Sequence, residues 1–204
     1  SADKLKALEE LTDGAFTIMD ATLAFSTTKD ILLVEGPSDY KYIRQAVNSL
    51  QNTKRSKFDS FEVFIIGCGG SGNVKHMLQS AILPNLPEKQ LCIAIFDDDN
   101  AGRGCKSAID TYVSTNRITN IRTLLYPKPS GWSLNDFFVE DFFPLSAYKP
   151  SWESRISQAA HFKQINEIKD LKKHIEDNCD RFTDSDYDDF ERLLDEIMRM
   201  QSTR

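Results

Sequence analysis

"ILLVEGPSDY", residues 31–40, sets four consecutive apolar residues against Glu35, a Gly-Pro pair and a second acid, Asp39. An unbroken run such as 31–34 is expected of a strand buried on both faces, the kind a parallel sheet uses. Residues 39–50 then place Tyr42, Ile43, Ala46, Val47 and Leu50 on one side of a helix. The stretch therefore reads strand, turn, helix, with a carboxylate at the end of the strand and another four residues on.

The pattern recurs. "FEVFIIGCGGSGN" (61–73) reads as a strand over 61–66, a Gly-rich turn and a helix near 74–82. "LCIAIFDDDNAGRG" (91–104) reads as a strand over 91–96, an acidic turn and a helix over about 101–114, and "IRTLLYP" (121–127) supplies a fourth strand. Strands alternating with helices at this spacing predict a parallel sheet covered by helices, an α/β sandwich. In such a sheet all strand C-termini open on one edge, where ligands bind. Glu35, the 67–73 loop and Asp97, Asp98 and Asp99 are thereby predicted to line one crevice. Residues two apart in extended chain share a face, so Asp97 and Asp99 are expected to face Glu35 and Asp98 to face away.

Carboxylates gathered in this way repel one another unless a cation neutralises them. Oxygen ligands suit Mg²⁺, which is held by one or two carboxylates together with waters and substrate phosphate. Asp39 is placed to support a second ion or to orient a bound water. The alternative for Glu35 is a turn or capping carboxylate, and for "DDDNAG" a helix N-cap at Asp99 or Asn100. "GCGGSGN" is neither a P-loop nor a dinucleotide fingerprint. Its Gly69, Gly70 and Ser71 either position a phosphate with backbone amides or serve only a tight turn.

Composition narrows the classes. The chain has 204 residues, 40% of them hydrophobic, and a net charge of -6, so its average surface repels a nucleic-acid backbone and polyanion binding must be local or metal-mediated. Cys68, Cys92, Cys105 and Cys179 lack CxxC spacing and no apolar leader is evident, which predicts structural thiols in a cytoplasmic protein. His76, His161 and His174 form no pair at zinc-ligand spacing. No stretch is long and apolar enough to span a bilayer. The apolar residues of 4–25 (Leu5, Leu8, Leu11, Phe16, Met19, Leu23) predict one or two amphipathic helices, a surface for a missing domain, a partner or a second copy in a homodimer. Three segments are expected: N-terminal helices (1–28), an α/β domain (29–130), and an acidic-aromatic segment with a C-terminal helical subdomain (131–204). The acidic run 177–196 reads as a solvated turn and helix N-terminus.

"LLVEGPSD", "GCGGSGN" and "IFDDDNAG" together resemble a Toprim domain over about residues 29–126, the domain shared by topoisomerases, DnaG-type primases, RecR-like proteins and nucleases of the OLD (overcoming lysogenization defect) family. The glutamate after the first strand and the DxD after a later one match Glu35 and Asp97/Asp99. Within that superfamily the chain looks most like an OLD-family nuclease: Glu35 and Asp39 fit its ExxxD pattern, and "VEDFFP" (139–144) supplies the acid that follows the sheet, Glu140. The resemblance implies a metal-dependent DNA endonuclease using two Mg²⁺ or Mn²⁺ ions held by Glu35, Asp39, Asp97, Asp99 and Glu140. It also implies a basic catalytic residue in "EIKDLKKHI" (167–175), with Lys169 or Lys172 as candidates, an ATPase region elsewhere in the protein or on a partner, and a role in phage defence. Lys54, Arg55, Lys57, Arg103 and Lys106 are candidate positive edges for DNA. Two other readings stay open. One is a receiver-like phospho-acceptor module with Lys128 as its lysine. The other is a non-catalytic Toprim module that binds nucleic acid.

Overall fold

The computed structural model describes residues 28–144 and 168–203, with 168–171 by backbone alone. The helices expected over 4–25 lie outside the described residues. Four parallel strands, β1 (Asp30–Val34), β2 (Val63–Gly67), β3 (Cys92–Phe96) and β4 (Ile121–Leu125), form one sheet in the order β2-β1-β3-β4. In register, Val34 lies beside Gly67, Leu33 beside Ala94, and Phe96 beside Leu125. Every residue of β1 and β3 is buried, whereas β2 and β4 are only partly so. The two fully buried strands are therefore the central ones, and the partly exposed β2 and β4 are the edges.

Between the strands run α1 (Pro37–Thr53), the short α2 (Arg55–Phe58), α3 (Ser71–Met77) and α4 (Asn100–Thr115). The α3 helix continues as a π-helical turn over Leu78–Ile82. After β4 come a 3₁₀ turn at Val139–Phe142, α5 (Ile168–Asn178), further 3₁₀ turns, and α6 (Glu191–Ser202). Two apolar layers flank the sheet. Ile31, Leu33, Cys92, Ala94 and Phe96 pack with Val74, Met77 and Ile109 of α3 and α4. Leu32, Val34, Ile93 and Ile95 pack with Tyr42, Ile43 and Leu50 of α1, and with Phe142, Phe190, Leu193 and Ile197 of the C-terminal segment. The alternation of side chains along a strand makes this division. The structure is the α/β Toprim-like sandwich with C-terminal helices that the sequence predicts.

The aromatic-acidic segment is anchored by its rings. Phe142 stacks on Phe190 with centroids 4.6 Å apart, and meets Phe137 and Tyr126 edge-on. Phe143 does the same with Tyr42. Such pairs contribute about 0.5–1.5 kcal/mol each beyond their buried area, and here they fix the turn that carries Glu140.

The acidic run is more than a solvated turn. Asp188 and Glu191 pair with Lys54, Glu191 and Asp195 pair with Lys57, and Asp180 pairs with Lys41. The run thus docks the C-terminal segment on α1 and α2, and Lys54 and Lys57 are neutralised there rather than offered to a polyanion. Arg55 lies beside Asp59, and Lys106 beside Asp110. Among the described residues no helix is long and apolar enough to cross a membrane. All four cysteines are free thiols, and burial pushes those of Cys68 and Cys92 upward, as inert core thiols require.

Candidate active site at the switch point of the sheet

In the order β2-β1-β3-β4, the chain leaves β1 toward one side and β3 toward the other, so the crevice between their C-termini is the topological switch point. Glu35 and Asp97 are the first residues past those two strands. The backbone N–H of Asp97 donates to Glu35 Oε1 at 3.1 Å, which joins the two turns. Asp97 Oδ1 accepts in turn from the N–H of Val139 at 3.1 Å, which brings the turn bearing Glu140 over the crevice.

Asp39 stands at the third position of α1. Pro37 opens that helix with a preset φ, and Asp39 Oδ2 reaches back to the N–H of Gly36 at 3.0 Å. Its other oxygen accepts from the Tyr126 hydroxyl at 2.6 Å, and the residue is 6% exposed. Asp99 is the N-cap of α4, its Oδ1 accepting from Gly102 N at 2.8 Å. Gly102 is required for closeness: a Cβ there would lie 2.0 Å from the Asp97 carbonyl oxygen. Asp98 turns away, as alternation predicts, and pairs with Arg103 at 2.6 Å and Lys128 at 2.7 Å. Arg103 also grips Asp136, Asn100 and the Asn135 carbonyl, so its charge is committed to holding the acidic turn against 135–137, where Asp98 and Phe137 form an antiparallel bridge.

Glu140 is 1% exposed. Its Oε2 sits 3.2 Å from Lys172 Nζ, close enough for an ion pair but not aligned as a hydrogen bond, and it has no hydrogen-bond partner among the described residues. Lys172 Nζ also lies 5.0 Å from the centroid of the Phe138 ring. Of the two candidate lysines, the structure brings Lys172 to the acids. The side chain of Lys169 lies outside the described residues, although its backbone belongs to α5.

The charges feel one another. Burial, and then the Asp39 charge, raise Glu35 to about 7. Burial raises Glu140 to about 7 against the pull of Lys172. Asp97 is held well above the usual carboxylate range by burial, with Asp39 and Glu140 adding to it, and burial raises Asp39 as well. Burial opposes the charge on Lys172, but Glu140 and Asp97 outweigh it, so the ammonium titrates above the ordinary lysine range. Four carboxylates and one lysine thus form one electrostatic unit, with Asp99 reaching it through Glu35.

Among the described residues, no three His, Cys, Asp or Glu side chains already converge as a ligand cage. Oxygens of Glu35, Asp39, Asp97 and Asp99 are instead engaged by backbone N–H groups and Tyr126. The donor set still suits a hard cation, being all oxygen, and the buried Glu140 Oε2, ion-paired with Lys172 but without a hydrogen bond among the described residues, keeps a lone pair open to one. The glycine loop is less open to phosphate than its sequence implies. Gly69 and Gly70 take positive φ, 74° and 132°, and the Gly70 N–H is turned inward onto the Glu35 carbonyl.

Of the expected acids Glu35, Asp39, Asp97, Asp99 and Glu140, the last from the resemblance, the structure sets Glu35, Asp39, Asp97 and Glu140 near one another and commits Asp99 to the cap of α4. Tyr126 was not among them, being read only as the end of a strand, although a residue following β4 must open on the same sheet edge as Glu35 and Asp97. Lys128 pairs with Asp98 rather than with Asp97 or Asp99, which weakens its match to a receiver lysine.

A parallel α/β sheet with a glutamate after its first strand and an Asp-x-Asp after its third is similar to a Toprim domain. Residues 28–99 match the family model described as overcoming lysogenization defect protein-like, TOPRIM domain. The match takes in Glu35, Asp39, Asp97 and Asp99 and ends before Glu140 and Lys172. No curated protein and no solved structure matches the chain. Domains of this type are nucleic-acid-metabolising modules that generally bind divalent metals.

Proposed function

We propose that the chain carries the catalytic site of a divalent-metal-dependent endonuclease that hydrolyses phosphodiester bonds in DNA. The observation that carries the reading is the buried Glu140 carboxylate, its Oε2 paired with Lys172 but free of any hydrogen bond among the described residues, within the field of Asp97 and Asp39. A receiver-like module has no use for that pairing, and neither does a passive binding module.

Glu35, Asp97, Asp99 and Glu140, with Asp39 in support, would hold Mg²⁺ or Mn²⁺, two ions in the full site. Bound there, the metal supplies activation of water and neutralisation of the scissile phosphate. The chain's own contribution is positional. Glu35 and Asp97 are fixed through the Asp97 N–H, and the aromatic anchors carry Glu140 to them. Lys172 keeps a positive charge beside Glu140, where it would offset charge developing on the transferred phosphoryl group. Lys172 therefore takes the role of the basic residue, and Lys169 stays the second candidate. Ser71, with the amides of the Gly69–Gly70 turn that do not face inward, would help to position the phosphate. An ATPase region supplied by a partner or by further sequence, a homodimer and action against phage belong to the same proposal.

Supercoiled plasmid incubated with Mg²⁺, Mn²⁺ or Ca²⁺ tests it. The expected result is nicking with Mg²⁺ or Mn²⁺ that is lost in Asp97→Ala and in Glu140→Ala. Nicking that survives both changes would refute the assignment.

A further inference from the structure

Tyr126 is the residue immediately after β4, and its N–H donates to the Phe96 carbonyl at 3.0 Å, extending the sheet by one residue at the crevice edge. Its ring is 1% exposed and packs edge-on against Phe142 with centroids 5.6 Å apart. A buried phenol needs a partner for its hydroxyl, and the partner is a carboxylate on α1. The phenol thus links the turn after β4 to the turn after β1, on either side of β3 and Asp97.

We propose that Tyr126 is a positioning residue of the acidic site: its hydroxyl, 2.6 Å from Asp39 Oδ1, fixes the orientation of that carboxylate and so sets how tightly the crevice takes a divalent cation. The inference rests on the metal-binding reading above. Asp39 is held at two points, Oδ1 by Tyr126 and Oδ2 by the Gly36 N–H. Two contacts on different oxygens leave the carboxylate no freedom to rotate, whereas Gly36 alone would leave it free to swing about a single hydrogen bond. Asp39 in turn acts electrostatically on Glu35, Asp97 and Glu140, so its placement is felt by the whole cluster. Groups that orient a ligand from behind typically change metal affinity by about 10- to 100-fold when removed.

Calorimetric titration with Mn²⁺ provides the test, on the wild type, Tyr126→Phe, Asp39→Asn and the double variant, with thermal unfolding in EDTA run alongside. Tyr126→Phe keeps the ring and its contact with Phe142, and is expected to weaken Mn²⁺ binding about tenfold. In the Asp39→Asn background the same change should add nothing, since the effect passes through Asp39. Ile82→Val, in the opposite apolar layer, loosens the core but leaves the hydroxyl and the aromatic anchors of Glu140 in place. It should lower thermal stability and leave Mn²⁺ affinity within about twofold of wild type. An affinity unchanged in Tyr126→Phe, a full tenfold loss persisting without Asp39, or an equal loss in Ile82→Val would each overturn the proposal while leaving the metal site standing. A wild type that takes up no Mn²⁺ would overturn both.

Discussion

Replacing Glu140 by Gln removes a charge that the fold buries at a cost, and the cost can be read as a pH dependence of stability. The carboxyl titrates near 4.5 when unfolded and at about 7 in the folded chain, because burial outweighs the attraction of Lys172. A group whose folded pKa is raised binds more protons in the native state. Its contribution is therefore fully present below pH 4.5 and is lost as pH rises through about 7. The rise corresponds to about 3 kcal/mol, a sizeable part of the stability of a small domain. At pH 5 the wild-type side chain is mostly neutral and resembles glutamine, so the two proteins should unfold at similar urea concentrations in EDTA. At pH 8 the wild type carries the buried charge and Glu140→Gln does not, so the variant should be the more stable, by up to about 3 kcal/mol. Lys172 tempers the gain but is not stranded by the change, because Asp97 and Asp39 also act on it. Saturating Mn²⁺ at pH 8 should narrow the gap: at a hundredfold excess over Kd a cation bound only by the native state contributes about 2.7 kcal/mol. A stability difference equal at pH 5 and pH 8, or a wild type that gains on the variant as pH rises, would refute the electrostatic account of the crevice.

Two further outcomes are expected. Gly102→Ala should destabilise by roughly 1–3 kcal/mol and disturb the acidic turn, since its new methyl meets the Asp97 carbonyl at 2.0 Å; circular-dichroism melting reads the first effect and Mn²⁺ titration the second. Tyr42→Phe should raise the melting temperature, because the buried Tyr42 hydroxyl has no hydrogen-bond partner among the described residues and an unmet buried hydroxyl costs about 1–3 kcal/mol.

The fold was legible in the sequence because each strand declares itself twice, by an apolar run and by the polar turn that ends it. 31–34 and 91–96 could hardly be anything but central strands, and the structure begins and ends them within one residue of those bounds. Glu35 and Asp97 were legible for the same reason: a residue that follows a parallel strand must open on the shared edge. Asp98 and Asp99 separate what alternation can and cannot say. It places Asp98 on the far side, but nothing in the order of letters shows that Arg103 and Lys128 would meet it there; for Asp99 the alternative reading as a helix N-cap is the one the structure adopts. Tyr126 was hidden, and Lys172 could not be told from Lys169, because their partners lie more than thirty residues away, and only the packed aromatic segment and the sheet order bring them in. Lys54 and Lys57 were misread for the opposite reason. Exposed lysines in a loop look free until the acidic strip at 188–195 docks on them.

Four acids of the crevice each accept from a backbone N–H: Glu35 from Asp97, Asp97 from Val139, Asp39 from Gly36 and Asp99 from Gly102. The same four amides are thereby a resident reporter. A ligand that draws a carboxylate away from its N–H must release that amide to solvent, and amide hydrogen exchange would register the release residue by residue. The crevice can thus announce which of its acids has changed partner without any attached probe, substrate or turnover.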